Sequence, residues 1–183
     1  MFILASASPR RKELLKRIID NFTIITSNVD EAYPDTMNKM DVAEFLATKK
    51  AMSVYKNNKD DIVIGSDTVI VFNNKIYGKP INKDDAKNML KTFSNNTHYV
   101  ITGVCVASQK RTLSFSSISK VTFYNLSDDE IDEYLSDDEY KDKAGSYAIQ
   151  GKASLFIKNI DGDYNSIMGL PIAELNRIIK NFF

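Results

Sequence analysis

The sequence predicts an α/β fold built on a mixed sheet, and three observations predict it. Strand-like and helix-like segments alternate along the chain, with hairpins inserted between them. The run Ile62 to Phe72 is almost continuously apolar and β-branched, the pattern of a buried strand. The chain also opens on an apolar strand, a tight loop and a helix, Met1 to Ile19.

The totals bound what such a fold can do. A length of 183 residues suits one domain, 1–183, with its own interior. Lys plus Arg and Asp plus Glu are both 24, so the formal net charge is zero and attraction for anions must come from local clustering. That balance speaks against a general nucleic-acid binder, which carries a basic excess. A lone Cys105 excludes an internal disulfide and a cysteine zinc cluster, and fits a reducing compartment. The positive charges follow the short apolar run Phe2 to Ala5 instead of preceding it, so it does not read as a secretory signal. No apolar stretch approaches the roughly 20 residues needed to cross a bilayer. The expectation is a cytoplasmic protein without membrane contact. With His98 as the single histidine there is no three-histidine metal site, and a Ser-His-Asp triad would depend on that residue alone.

In the opening segment, Ser8 is a favoured N-cap and Pro9 a favoured first helical residue. Leu14, Leu15, Ile18 and Ile19 fall on one face. Arg10 and Arg11 place two cations at the positive end of the helix dipole, where a cation costs up to about 1 kcal/mol. With the hydroxyls of Ser6 and Ser8 they describe either a phosphate site or a solvated basic turn.

Phe22 to Ser27 reads as a short strand, followed by a polar loop that carries Asp30 and Glu31. Asp41 to Tyr55 reads as a helix, with Lys49 and Lys50 on a solvated face by position alone. Asp67 sits in the middle of the buried run, where an ionised carboxylate is costly unless paired or metal-bound, and so marks a functional group or a cleft-facing one. Asn73-Asn74-Lys75 reads as a hairpin turn that returns through Tyr77 to Gly78-Lys79-Pro80, holding Lys79 in a constrained loop near Asp67.

Asp84 to Phe93 is a short helix, and Thr97 to Ala107 with Leu113 to Tyr124 is a long antiparallel pair. Ser127-Asp128-Asp129-Glu130 is a capping box. Glycines frame a tight or mobile segment, Gly145 to Gly151. Leu155 to Ile160 and Tyr164 to Met168 read as a hairpin around Asp161-Gly162, and the last helix buries Ile172, Leu175, Ile178, Ile179 and Phe182.

Six motifs occur in order: Ser6-Ala7-Ser8-Pro9-Arg10-Arg11, Gly65-Ser66-Asp67-Thr68-Val69, Gly78-Lys79-Pro80, Thr97 to Gly103, Lys143 to Gly151, and Gly169-Leu170-Pro171. Together they resemble the Maf family of nucleoside triphosphate pyrophosphatases from Ile3 to Pro171. The resemblance implies an elongated mixed β-sheet flanked by helices, in two lobes around a central cleft, like inosine triphosphate pyrophosphatase. It also implies a homodimer, and a divalent cation, Mg²⁺ or Mn²⁺, as cofactor.

Carried over by position, Asp67 matches the proton acceptor that activates water, and Glu31 matches a carboxylate of the metal and water site. Ser8, Arg10, Arg11, Lys50 and Lys79 match polar and basic residues around the phosphates. Arg10, Thr68 and Gln150 resemble the branch acting on dTTP and UTP, whereas the 7-methyl-GTP branch has Trp, Gln and Glu there. A Gln amide can pair with the N3–H and O4 of uracil or thymine. Ala153 stands where relatives commonly have glycine.

The implied reaction cleaves between the α- and β-phosphates. Asp67, with Glu31, would orient and deprotonate water, and Arg10, Arg11 and Lys79 would stabilise the leaving pyrophosphate. An aspartyl-phosphate phosphatase would need a second Asp where Val69 stands, and there is no P-loop. The alternative of a different class is a nucleotide-binding regulator of septum formation with little turnover.

Overall fold

In the computed structural model, which describes residues 1–181, seven strands form one mixed sheet. Strand β1 (Phe2–Leu4) leads through helix α1 (Pro9–Lys16) to β2 (Phe22–Ile24), and α2 (Val42–Tyr55) precedes β3 (Ile62–Phe72). β4 (Lys75–Tyr77), α3 (Lys83–Phe93), β5 (Thr97–Ala107), β6 (Thr112–Phe123) and α4 (Asp128–Tyr134) follow. Three short 3₁₀ turns then lead to β7 (Ile157–Asp161), α5 (Tyr164–Met168) and α6 (Ile172–Lys180). The order across the sheet is β2-β1-β3-β5-β6-β7, with β4 also on β3. β1 is parallel to both β2 and β3, and the other pairings are antiparallel.

β3 organises the site. Its first residues, Ile62 to Ile64, pair with β1, and its last, Ile70 to Phe72, pair with β4. Between them, residues 65–69 keep β5 on one edge but have no strand on the other, among the described residues. A gap opens there in the sheet. The pleat sends Gly65, Asp67, Val69 and Val71 toward α2, and Ser66, Thr68 and Ile70 toward the opposite side.

Helix α2 lies unusually close to this sheet because small residues face each other. Ala43, Ala47 and Ala51, spaced one turn apart, are fully buried. A Cβ on Gly65 would lie 2.7 Å from the Ala51 amide nitrogen, and one on Gly103 would overlap the backbone of Ala43 and Glu44. On the other side a larger core joins α1, α3, α4 and α6 to the sheet through Leu14, Leu15, Phe93, Phe123, Ile131 and Leu175.

Several local expectations hold. Ser8 accepts a 3.5 Å hydrogen bond from the Arg11 amide with Pro9 as the first helical residue, and Ser127 and Glu130 cap each other. Asn73 and Asn74 take positive φ, 48° and 57°, as a two-residue hairpin turn requires. The first helix ends at Lys16, short of Ile19, and the second strand stops at Ile24, short of Ser27. Phe182 lies outside the described residues.

One element differs in kind: Tyr164–Met168 is a helix, not the second arm of a hairpin. The Asp163 carboxylate accepts the Asn165 N–H at 2.8 Å as an N-cap. Gly169, at φ 121°, closes the turn, its N–H donating to Ser166 O and that of Leu170 to Asn165 O. No helix among the described residues is long and apolar enough to cross a membrane.

Candidate active site

The gap beside β3 opens into a cleft of about 1030 Å³. The β1–α1 loop, α2, β3, the Gly78-Lys79 loop and the Gly169 turn all reach it. Ser8, Arg10, Arg11, Glu31, Lys50, Asp67, Thr68 and Lys79 line this one space.

On the α2 side, Asp67 is 7% exposed and its Oδ1 accepts from Lys50 Nζ at 2.5 Å. The same ammonium lies 2.7 Å from Glu31 Oε1 on the polar loop. Burial raises the Asp67 pKa above its ordinary value, against the opposing pull of Lys50 and Arg11. Lys50, placed on a solvated face from position alone, is mostly covered instead, its side chain 12% exposed. The cause is the close seating of α2, which no periodicity of charge reveals.

Glu31 and Asp67 each bring one carboxylate oxygen to the Lys50 ammonium, at 2.7 and 2.5 Å. Two such hard donors are what Mg²⁺ or Mn²⁺ takes alongside substrate phosphates, so the donor set fits. Among the described residues no group of three or more His, Cys, Asp or Glu converges for a metal.

On the opposite side, Arg11 is held in place by its neighbours. Its Nε donates to Gly169 O at 2.9 Å, Nη1 to Ser6 Oγ at 3.3 Å and Nη2 to Thr68 Oγ1 at 3.0 Å. Desolvation lowers its pKa, and the Asp67 carboxylate opposes that. The Arg10 side chain makes no hydrogen bond or ion pair among the described residues, and burial alone lowers its pKa. The two arginines therefore differ: one is tied, one is free.

Two candidates differ from the rest in their surroundings. Lys79 lines the cleft as an exposed side chain, 3.5 Å from Asp142. The hairpin turns its loop toward the 145–151 segment, where Gly145 N–H donates to Gly78 O at 2.9 Å. Gln150 is exposed and stands outside the residues lining the cleft, while its neighbour Ile149 lines it.

Ser66, Thr102 and Tyr147 lie inside the motifs, but the sequence assigned them no role. Ser66 Oγ donates to Gly169 O at 2.9 Å, and Tyr147 lines the cleft with its hydroxyl 2.7 Å from His98 Nε2. For Ser66 and Thr102 the available signal was a hydroxyl residue inside an otherwise apolar strand, since a buried hydroxyl must find a partner.

Residues 1–182 match the family described as Maf-like protein. A Bacillus cereus protein named dTTP/UTP pyrophosphatase is 48% identical over 180 residues, covering 98% of this chain and 94% of its own. A Bacillus anthracis protein of the same name is 47% identical over the same coverage. Among solved structures, the Staphylococcus aureus Ham1 protein matches with a TM-score of 0.56 at 13% identity, over 100% of this chain and 99% of that one. That last likeness is one of fold.

Proposed function

This chain belongs to the family of Maf-like proteins, and on that premise we propose that it hydrolyses dTTP and UTP to the monophosphate and pyrophosphate. The observation that carries the reading is the buried Asp67 carboxylate, facing a cleft and sharing Lys50 with Glu31, across from two arginines.

Asp67 acts as the base. Its raised pKa makes it a better proton acceptor than an exposed aspartate, while Lys50 keeps it ionised. Glu31, more exposed, orients the attacking water from the other side of Lys50. Glu31 and Asp67 would hold a divalent cation, which would supply neutralisation of the charge developing on the phosphates. Arg10, free of protein partners, binds phosphate oxygens, and Arg11 presents the two N–H groups left over from its protein contacts. Lys79 exchanges Asp142 for the pyrophosphate end of the substrate. For the Gln150 amide to read a pyrimidine edge, the 147–151 segment turns toward the cleft on binding.

The test is pyrophosphate release by the purified protein over dTTP, UTP, CTP, dATP, GTP and 7-methyl-GTP, with Mg²⁺ or Mn²⁺. Metal-dependent release that is best with dTTP or UTP is expected. Nucleotide binding without release on any of the six would overturn the reading in favour of a regulatory protein.

A further inference from the structure

We propose that Thr102, which is not among the residues lining the cleft, is a positioning residue that sets the Arg11 guanidinium for the phosphates through a one-way relay of hydrogen bonds. This deepens the function proposed above and rests on it for the identity of the ligand.

The relay has one direction because its last member can only accept. Thr102 Oγ1 lies 2.7 Å from the Ser166 carbonyl, so the Thr102 hydroxyl must donate there. Thr102 Oγ1 is also 2.8 Å from Thr68 Oγ1. With its proton engaged, Thr102 can only accept from Thr68, and the Thr68 hydroxyl donates to it. Thr68 then accepts from Arg11 Nη2 at 3.0 Å, and a guanidinium donates only. Each proton in the chain Arg11, Thr68, Thr102, Ser166 has one place to go. Such chains polarise in the same sense and strengthen each bond.

The relay ties together four parts of the fold: α1, β3, β5 and α5. Thr102 and Ser166 are fully buried, so a broken link could not be replaced by water without cost. At the other end of the guanidinium, Nε is held by Gly169 O, which Ser66 Oγ also supports. A planar group fixed at both Nε and Nη2 cannot rotate, and its two remaining N–H groups keep one direction.

Thr68 acquires a different role from the one its position in the motif implied. Its proton is engaged by Thr102 and one lone pair by Arg11, so it acts through the arginine and not as a donor to a base. The phosphate end, not the nucleoside end, is what the relay controls.

The test measures binding of inorganic pyrophosphate and of UMP, separately, by calorimetry in Mg²⁺ buffer, which does not depend on turnover. Thr102→Val keeps shape and strand preference but removes the hydroxyl. It should weaken pyrophosphate binding by about tenfold, the loss of one buried hydrogen bond to the site, and leave UMP binding within about twofold. Thr102→Ser should restore pyrophosphate binding. Unchanged pyrophosphate binding in a cooperatively folded Thr102→Val, or an equal loss for both ligands, would overturn the proposal. If Thr102→Val does not fold, Thr68→Val breaks the same relay one hydroxyl earlier and carries the same two outcomes. Wild-type protein that binds pyrophosphate but releases none from any triphosphate would overturn the proposed hydrolysis and leave the relay standing.

Discussion

The Lys50 ammonium sits 2.5 Å from the Asp67 carboxylate, on a helix that reaches the sheet only because glycines and alanines meet there. Ala43, Ala47 and Ala51 press on Gly65 and Gly103, and Lys50 is carried down beside Asp67 on the next strand position. Packing of the smallest side chains thus sets the electrostatics of this cleft.

Removing that ammonium should move the pH profile. Burial already holds the Asp67 pKa above its ordinary 3.8, and Lys50 is the foremost group pulling it down. In Lys50→Met the carboxylate loses this counter-charge, so the acid limb of kcat/KM against pH shifts upward. At neutral pH the rate should fall roughly tenfold or more. Lys50→Arg should move the limb part of the way back. A limb that stays in place in Lys50→Met would show that Lys50 does not tune Asp67.

Gly103→Ala tests the seating of α2. The added methyl would overlap the Ala43 and Glu44 backbone, which cannot swing away as a side chain can. A loss of about 3 kcal/mol in urea unfolding is expected, at the upper end for overpacking. A loss below about 0.5 kcal/mol, the size of an ordinary surface change, would contradict this contact.

His98 should make the fold acid-sensitive. It is fully buried, and burial lowers its pKa from 6.5 to about 3. A histidine depressed in the folded state stabilises it above the unfolded value of 6.5, and that stabilisation is lost as pH falls toward 3. The loss by pH 3 is on the order of 4 kcal/mol. Thermal melts of His98→Gln should therefore show a flatter decline than wild type between pH 6.5 and 3. Parallel declines would mean that His98 is not the group responsible.

Much of the fold was legible because local chemistry agrees with the global result. The Ile62–Phe72 run, the Asn73-Asn74 turn and the Ser127–Glu130 box each carry their own physical cause. What was not legible depends on distant partners. Tyr164–Met168 is too short for a helical period and owes its form to the Asp163 cap and the Gly169 turn. Lys50 resembles any helix lysine until α2 is laid on two glycines. Within the site, Asp67 announced itself as a carboxylate in an apolar strand, and Arg10 and Arg11 as cations at a helix start. Their division into a free and a tethered arginine required Thr68, 57 residues away, and Gly169, 158 residues away. Gln150 was legible as a motif residue, but its exposed setting in the turn between two 3₁₀ segments depends on the residues around it.

The central claim is that Asp67 is the base of a triphosphate-cleaving site, and Asp67→Asn tests it most directly. The sign of the accompanying stability change is fixed by the raised pKa. Such a carboxyl stabilises the fold while protonated, below its unfolded value, and that contribution is lost as pH rises through the folded value. Asp67→Asn should therefore melt higher than wild type at pH 8 and by a smaller margin at pH 4. Its steady-state kcat with dTTP should fall by about 100- to 10,000-fold, the range for loss of a general base. A folded Asp67→Asn protein that releases pyrophosphate at the wild-type rate would contradict the account.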